Sequence, residues 1–121
     1  MDKNEKLPFA TVTKFNDNVC ENKITFNDIE ELKAKLEETI PSKNFFYMIK
    51  MEGLFNVRIR SCYKQDEPYQ PLYKVACDQR EYDFEEEGYV IGVYCPNYVQ
   101  GMNLPGWHIH FLSKDFRHGG H

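Results

Sequence analysis

At 121 residues, with 41% hydrophobic and 28% charged side chains, the chain has room for one domain and not comfortably for two. A formal net charge of -4 without a basic stripe argues against nucleic acid, and no apolar run approaches the roughly 20 residues that cross a bilayer. The polar opening from Met1 to Lys6 lacks the apolar stretch of a secretory signal, so a cytoplasmic protein without membrane contact is expected.

Near the N-terminus, residues 8–15 are rich in strand formers (Phe9, Thr11, Val12, Thr13, Phe15) and are expected to be extended. A helix follows. Asn27 is placed to cap it, with Glu30 three residues later as the partner in a capping box. Ile29, Leu32, Leu36 and Ile40 recur at three- and four-residue steps as one apolar stripe for core packing, and Pro41 stops the helix.

Residues 45–51 and 55–61 have strand composition, and Glu52-Gly53-Leu54 between them suggests a hairpin turn. Alternation in the second of these puts Val57 and Ile59 on one face and Arg58 and Arg60 on the other. Two prolines make residues 65–71 an irregular connection, with a short helix expected over 72–79. Glu85-Glu86-Glu87-Gly88 has the composition of a solvated turn, and residues 89–94 that of a strand. A loop containing Pro96, Gly101, Pro105 and Gly106 leads to a last strand over 107–112. The sum is an α+β chain with mixed or mainly antiparallel β-sheets and one well-defined helix. Cys20, Cys62, Cys77 and Cys95 are scattered and form no C-x-x-C pair, so they carry no assigned role.

The chemistry gathers at the end of the chain. All four histidines, His108, His110, His118 and His121, lie in the last fourteen residues. His108 and His110 are two apart on a predicted strand, so both rings leave one face, separated by roughly 6 to 7 Å. That spacing lets both reach one ion at about 2.0 to 2.1 Å. Ser113-Lys114-Asp115 and Gly119-Gly120 supply turn residues, so the chain can double back and set His121 opposite the pair. Three imidazoles then converge and leave a coordination position open, as in a catalytic zinc site. An H-x-H pair alone is as often an ordinary strand feature as a ligand pair; the third histidine and the two glycines favour ligands. His118 falls within the turn and is expected to be exposed.

Longer stretches carry a resemblance. Gly92-Val93-Tyr94-Cys95-Pro96-Asn97-Tyr98, then Gly101-Met102-Asn103-Leu104-Pro105-Gly106-Trp107-His108-Ile109-His110-Phe111, and the closing Gly119-Gly120-His121 are similar to a known series. It reads G-x-x-x-P-x-Y, N-x-P-G-[YW]-H-x-H-F and G-G-H in the acetolactate decarboxylases. Arg60-Ser61-Cys62-Tyr63-Lys64-Gln65-Asp66-Glu67-Pro68-Tyr69 resembles that family's R-[ST]-x-x-x-Q-x-x-P-Y segment, and Pro8-Phe9-Ala10 its P-F-A.

The resemblance runs from about Leu7 to His121. It implies a cytoplasmic lyase that converts acetolactate to acetoin and carbon dioxide, generally as a homodimer. It also implies zinc, or another divalent metal, held by His108, His110 and His121, with Arg60 as the pocket arginine and Arg58 as the weaker candidate. Without the family pattern, Arg60 reads as a solvent-facing strand residue. The chemistry is coherent: loss of carbon dioxide from a 2-hydroxy-3-oxo acid leaves an electron pair that a polarised neighbouring ketone can take.

The implied fold is part of that family's, in one truncated unit 1–121: about 7–84 from its sheet domain and about 85–121 from its metal-carrying β domain. The family's catalytic glutamates fall before the P-F-A segment and after the G-G-H motif, so a truncated member with an exposed sheet edge is expected. Two alternatives differ in class. A cupin-like metal barrel would use Asp115 as an acidic ligand, and an inactive fragment would bind metal weakly or not at all.

Overall fold

The computed structural model describes residues 10–15, 23–62 and 64–121. In chain order they form helix α1 (Ile29–Thr39), strand β1 (Tyr47–Ser61), short helix α2 (Leu72–Cys77), β2 (Arg80–Cys95), a 3-10 turn (Asn97–Val99), β3 (Gly106–Ser113) and β4 (Gly119–Gly120). The strands make one antiparallel sheet in the order β1-β2-β3-β4. The α+β class with antiparallel neighbours is therefore observed. No helix among the described residues is long and apolar enough to cross a membrane.

Helix α1 starts one residue later than expected. Asp28 is its cap: its backbone is extended, and its side chain accepts the Glu31 N–H at 2.8 Å. Glu31 completes the box by accepting from the Asn27 backbone and side-chain amides, each at 2.9 Å. Hydrogen bonding from Lys35, then from Asn27, lowers the Glu31 carboxyl to about 2. Leu32 and Leu36 are buried, whereas Ile29 is 46% exposed, so the inward stripe is narrower than its spacing suggests. Asp28→Ala is expected to lower stability by about 1 kcal/mol, because the Glu31 amide loses its acceptor. Thermal unfolding checks this, and an unchanged Tm would show that the cap is idle.

Three sequence expectations are corrected. Residues 10–15 form no strand, while Pro8 and Phe9 lie outside the described residues. There is no hairpin at Gly53, because β1 runs unbroken through it and alternates between exposed and inward positions. The acidic run is not a turn either: β2 passes straight through Glu85, Glu86 and Glu87, opposite Asn56, Phe55 and Leu54. Each misleading signal has another cause. Gly53 and Gly88 face each other across the ladder, and a Cβ on Gly88 would stand 2.4 Å from the Leu112 carbonyl oxygen. Gly88 thus marks close approach of β3 rather than a reversal. Glu86 and Glu87 are spent on cross-strand partners, His118 and Lys114. The expected division near residue 84 falls inside β2, which pairs with β1 along its whole length.

One face of the sheet holds the core. Ile59, Val90 and Phe111 are buried, with Met51, Phe55, Val57, Phe84 and Ile109 packed against them. Each fully buried side chain of this size stabilises the fold by roughly 1.5–3 kcal/mol. Strand alternation sends Arg58, Arg60, His108 and His110 to the other face.

The sheet also returns on itself. The Arg60 N–H donates to the His121 carbonyl at 2.8 Å, and the His121 N–H donates to the Arg60 carbonyl at 2.9 Å. This mutual exchange is the hydrogen-bonded pair of an antiparallel ladder. The end of β4 therefore bridges β3 on one side and β1 on the other.

Candidate metal centre

β3 begins at Gly106, whose φ of 88° is a conformation that suits glycine. From there alternation presents His108 opposite Val93 and His110 opposite Ile91, both across from β2. The turn that brings His121 back is built from residues 113–118. Ser113 is 2% exposed. Its hydroxyl donates to the Asp115 carboxylate at 2.7 Å and accepts the Arg117 and His118 amides at 3.2 and 2.9 Å. Phe116 takes the left-handed position, with φ of 61°.

Gly119 and Gly120, expected as turn residues, instead form β4 opposite Leu112 and Phe111. Their smallness serves packing: a Cβ on Gly119 would lie 3.1 Å from the Phe111 carbonyl oxygen, and one on Gly120 would lie 2.7 Å from that of Arg60. With Gly120 opposite Phe111, the next step sets His121 beside His110.

The result is a cluster. His108, His110 and His121 each offer a ring nitrogen, and these atoms all lie within 4.8 Å of one another. The Nε2 atoms of His108 and His110 are 2.8 Å apart. The ring of His121 lies 4.6 Å from that of His108 and 5.4 Å from that of His110, centre to centre. Tetrahedral coordination at about 2.0–2.1 Å sets donor atoms roughly 3.3 Å apart, so small ring rotations suffice to seat one divalent ion. Three imidazole nitrogens converging this closely form a donor set that suits a cation.

Electrostatics point the same way. All three histidines are held below the ordinary 6.5, chiefly because partial burial disfavours the charged form. His108 adds to the effect on His110. On His121 the other two rings, Arg60 and Lys33 add to it. The rings thus stay neutral, the form that ligates metal. Each is expected to titrate below pH 6.5 in metal-free protein, read by NMR of the imidazole protons. Unfolding returns them to 6.5, so their contribution to stability is complete above that pH and is lost as the pH falls through the lower folded values. A titration midpoint above 6.5 for any of the three would contradict this environment.

Arg60 stands directly opposite His121 on β1, and opposite partners in an antiparallel ladder share a face. Its guanidinium makes no ion pair among the described residues. Arg58, by contrast, is committed to Asp83 through Nε at 2.8 Å and a second nitrogen at 3.1 Å. Lys33 was not singled out from sequence. Its proximity to His121 depends on how α1 docks, which no local pattern encodes.

Two other expectations change. His118 is half-buried rather than exposed. Its Nδ1 lies 3.0 Å from both oxygens of Glu86, its ring stacks on Phe84 at 4.5 Å, and it stands apart from the three-ring cluster. Asp115 is engaged within its own turn, with Ser113 and the Arg117 amide. It does not join the imidazoles, so the acidic ligand of a cupin-like site is not formed.

Comparison with known proteins follows the same line. The family model for alpha-acetolactate decarboxylase matches residues 1–121. The alpha-acetolactate decarboxylase of Brevibacillus brevis is 39% identical over 118 residues, which cover 96% of this chain and 41% of that protein. The one from Methylococcus capsulatus is also 39% identical, over 96% of this chain and 45% of its own length. The crystal structure of alpha-acetolactate decarboxylase from Bacillus subtilis strain 168 superposes with a TM-score of 0.70 at 32% identity, over 77% of this chain and 41% of that one. The chain thus spans less than half the length of these relatives.

Proposed function

Because the chain belongs to the alpha-acetolactate decarboxylase family, we propose that it serves the metal-dependent decarboxylation of alpha-acetolactate to acetoin and carbon dioxide. The observation that carries this reading is the convergence of the His108, His110 and His121 ring nitrogens within 4.8 Å. These residues would hold the ion, zinc or another divalent metal, and when bound it supplies a Lewis acid for the ketone next to the departing carboxylate.

The chain's own residues orient the ion and the substrate, and the proton that replaces carbon dioxide comes from a carboxylic acid, the usual donor. The β-ladder fixes the rings, since His108 and His110 sit on a paired strand and His121 is tied by its backbone to Arg60. Arg60, which makes no ion pair among the described residues and stands beside His121, offers a planar fork of N–H donors to the substrate carboxylate. The same fork favours the negative charge that develops as carbon dioxide departs. Neutral imidazoles leave the full positive charge of the ion available to the substrate.

The test is direct. Metal-depleted protein is incubated with racemic acetolactate, with and without one equivalent of zinc, and acetoin is measured. Zinc-dependent acetoin formation is expected, falling at least about tenfold in Arg60→Lys, which keeps the charge and loses the fork. Absence of stoichiometric zinc binding, or acetoin formation that does not depend on added zinc, would overturn the reading.

A cytoplasmic homodimer is part of the same proposal. The outer edge of β1 ahead of Arg60 carries no strand among the described residues, which supports pairing with a second copy. Sedimentation should report twice the chain mass.

A further inference from the structure

A second polar site lies on the opposite face of β1 from the three imidazoles. Ile59 and Ser61 alternate with Arg60, so they face away from the cluster and into a cavity of about 180 Å³. Tyr82, Phe84, Arg117 and His118 complete its walls. Phe84 and Tyr82 are themselves stacked, with ring centres 6.3 Å apart, and give the cavity an aromatic side.

The unusual member is His118. Its Nδ1 lies 3.0 Å from both carboxylate oxygens of Glu86, and Phe84 fixes the ring plane from below. An ionised carboxylate only accepts, so the proton of the neutral ring sits on Nδ1 and Nε2 is left as an acceptor. Nε2 has no protein partner among the described residues. An imidazole oriented by a carboxylate, with its second nitrogen unspent, is the arrangement that reads a hydroxyl or amine of a ligand. Arg117 supplies the complementary group. Its only ion pair among the described residues is a long one to Asp115, at 3.7 Å, and its side chain is 81% exposed, free to swing.

We propose that this cavity binds a short-chain 2-hydroxy carboxylic acid. The ligand hydroxyl donates to His118 Nε2, its carboxylate pairs with Arg117, and its hydrocarbon part lies against Ile59, Tyr82 and Phe84. The site is separate from the metal centre and needs no metal.

The probe is 2-hydroxy-3-methylbutanoate, titrated into metal-free protein and followed by NMR at the His118 ring and the Gly119 amide. Saturable shifts at these positions are expected. His118→Phe, which keeps the stack on Phe84, and Arg117→Gln, at an exposed position, should each weaken binding by about five- to tenfold. The analogue 3-methylbutanoate, which lacks the hydroxyl, should bind the wild-type protein more weakly by a similar factor. His110→Ala should leave binding unchanged. Equal affinity in His118→Phe, equal affinity for the two acids, or shifts confined to His108, His110 and His121 would each overturn the proposal. Since no metal and no turnover enter the measurement, its failure is distinguishable from failure of the decarboxylase reading.

Discussion

Replacement of His110 by alanine is expected to cut zinc affinity by more than about 100-fold and to abolish zinc-dependent acetoin formation. Loss of a group that only orients a ligand already costs about 10–100-fold in metal affinity, so loss of a ligand itself costs more. The effect on the fold should be small. His110 is exposed on the face away from the core, and its cross-strand partner Ile91 is already 38% exposed. A competition titration with a chromophoric chelator measures the affinity, and circular dichroism checks that the sheet survives. Asp115→Asn is the matched control. Asp115 serves the turn at Ser113 and not the cluster, so zinc affinity should barely move. Should His110→Ala bind zinc like the unmodified chain while Asp115→Asn loses it, the ligand set would have to be redrawn.

The second large effect belongs to a residue with no side chain. Gly120→Ala should destabilise the protein by about 1–3 kcal/mol, in the range of overpacked sites, and weaken zinc binding as well. The added Cβ would meet the Arg60 carbonyl oxygen at 2.7 Å, closer than such contacts allow. Backbone cannot turn aside as a side chain can. Relief must come from separating β4 from β1, which pulls on the two hydrogen bonds between Arg60 and His121. Gly53→Ala offers a contrast, because its Cβ would meet nothing nearer than 3.6 Å. Urea unfolding and zinc titration of both variants settle the matter. A Gly120→Ala protein of undiminished stability and affinity would show that the closure does not hold His121 in place.

The site was more legible in the sequence than the sheet around it. Alternation along residues 106–113 suffices to put His108 and His110 on one face, and a return after Ser113 suffices to bring His121 near them. What local pattern could not supply was the path of the ladder. Gly53 and the run from Glu85 to Gly88 have the composition of turns, yet they lie mid-strand because tertiary demands outweigh local propensity there. Glu86 and Glu87 look solvated until His118 and Lys114 arrive from more than 25 residues away. Arg60 is a candidate through the family pattern alone. Its place beside His121 rests on a pairing between distant segments that no window of sequence contains. Helix α1 was found with its cap displaced by one residue, a matter of whether Asn27 or Asp28 takes the extended backbone.

The hoop formed by β3, β4 and β1 links two processes that are usually considered apart. The three residues that would hold one ion sit on β3 and just past β4, and one of them, His121, also closes the seam between that end and β1. An ion that binds only when the seam is shut must hold it shut, by an amount that grows with the logarithm of free metal concentration. Chelation would then loosen the Arg60 and His121 amides first, and their hydrogen-exchange rates would serve as a gauge of occupancy.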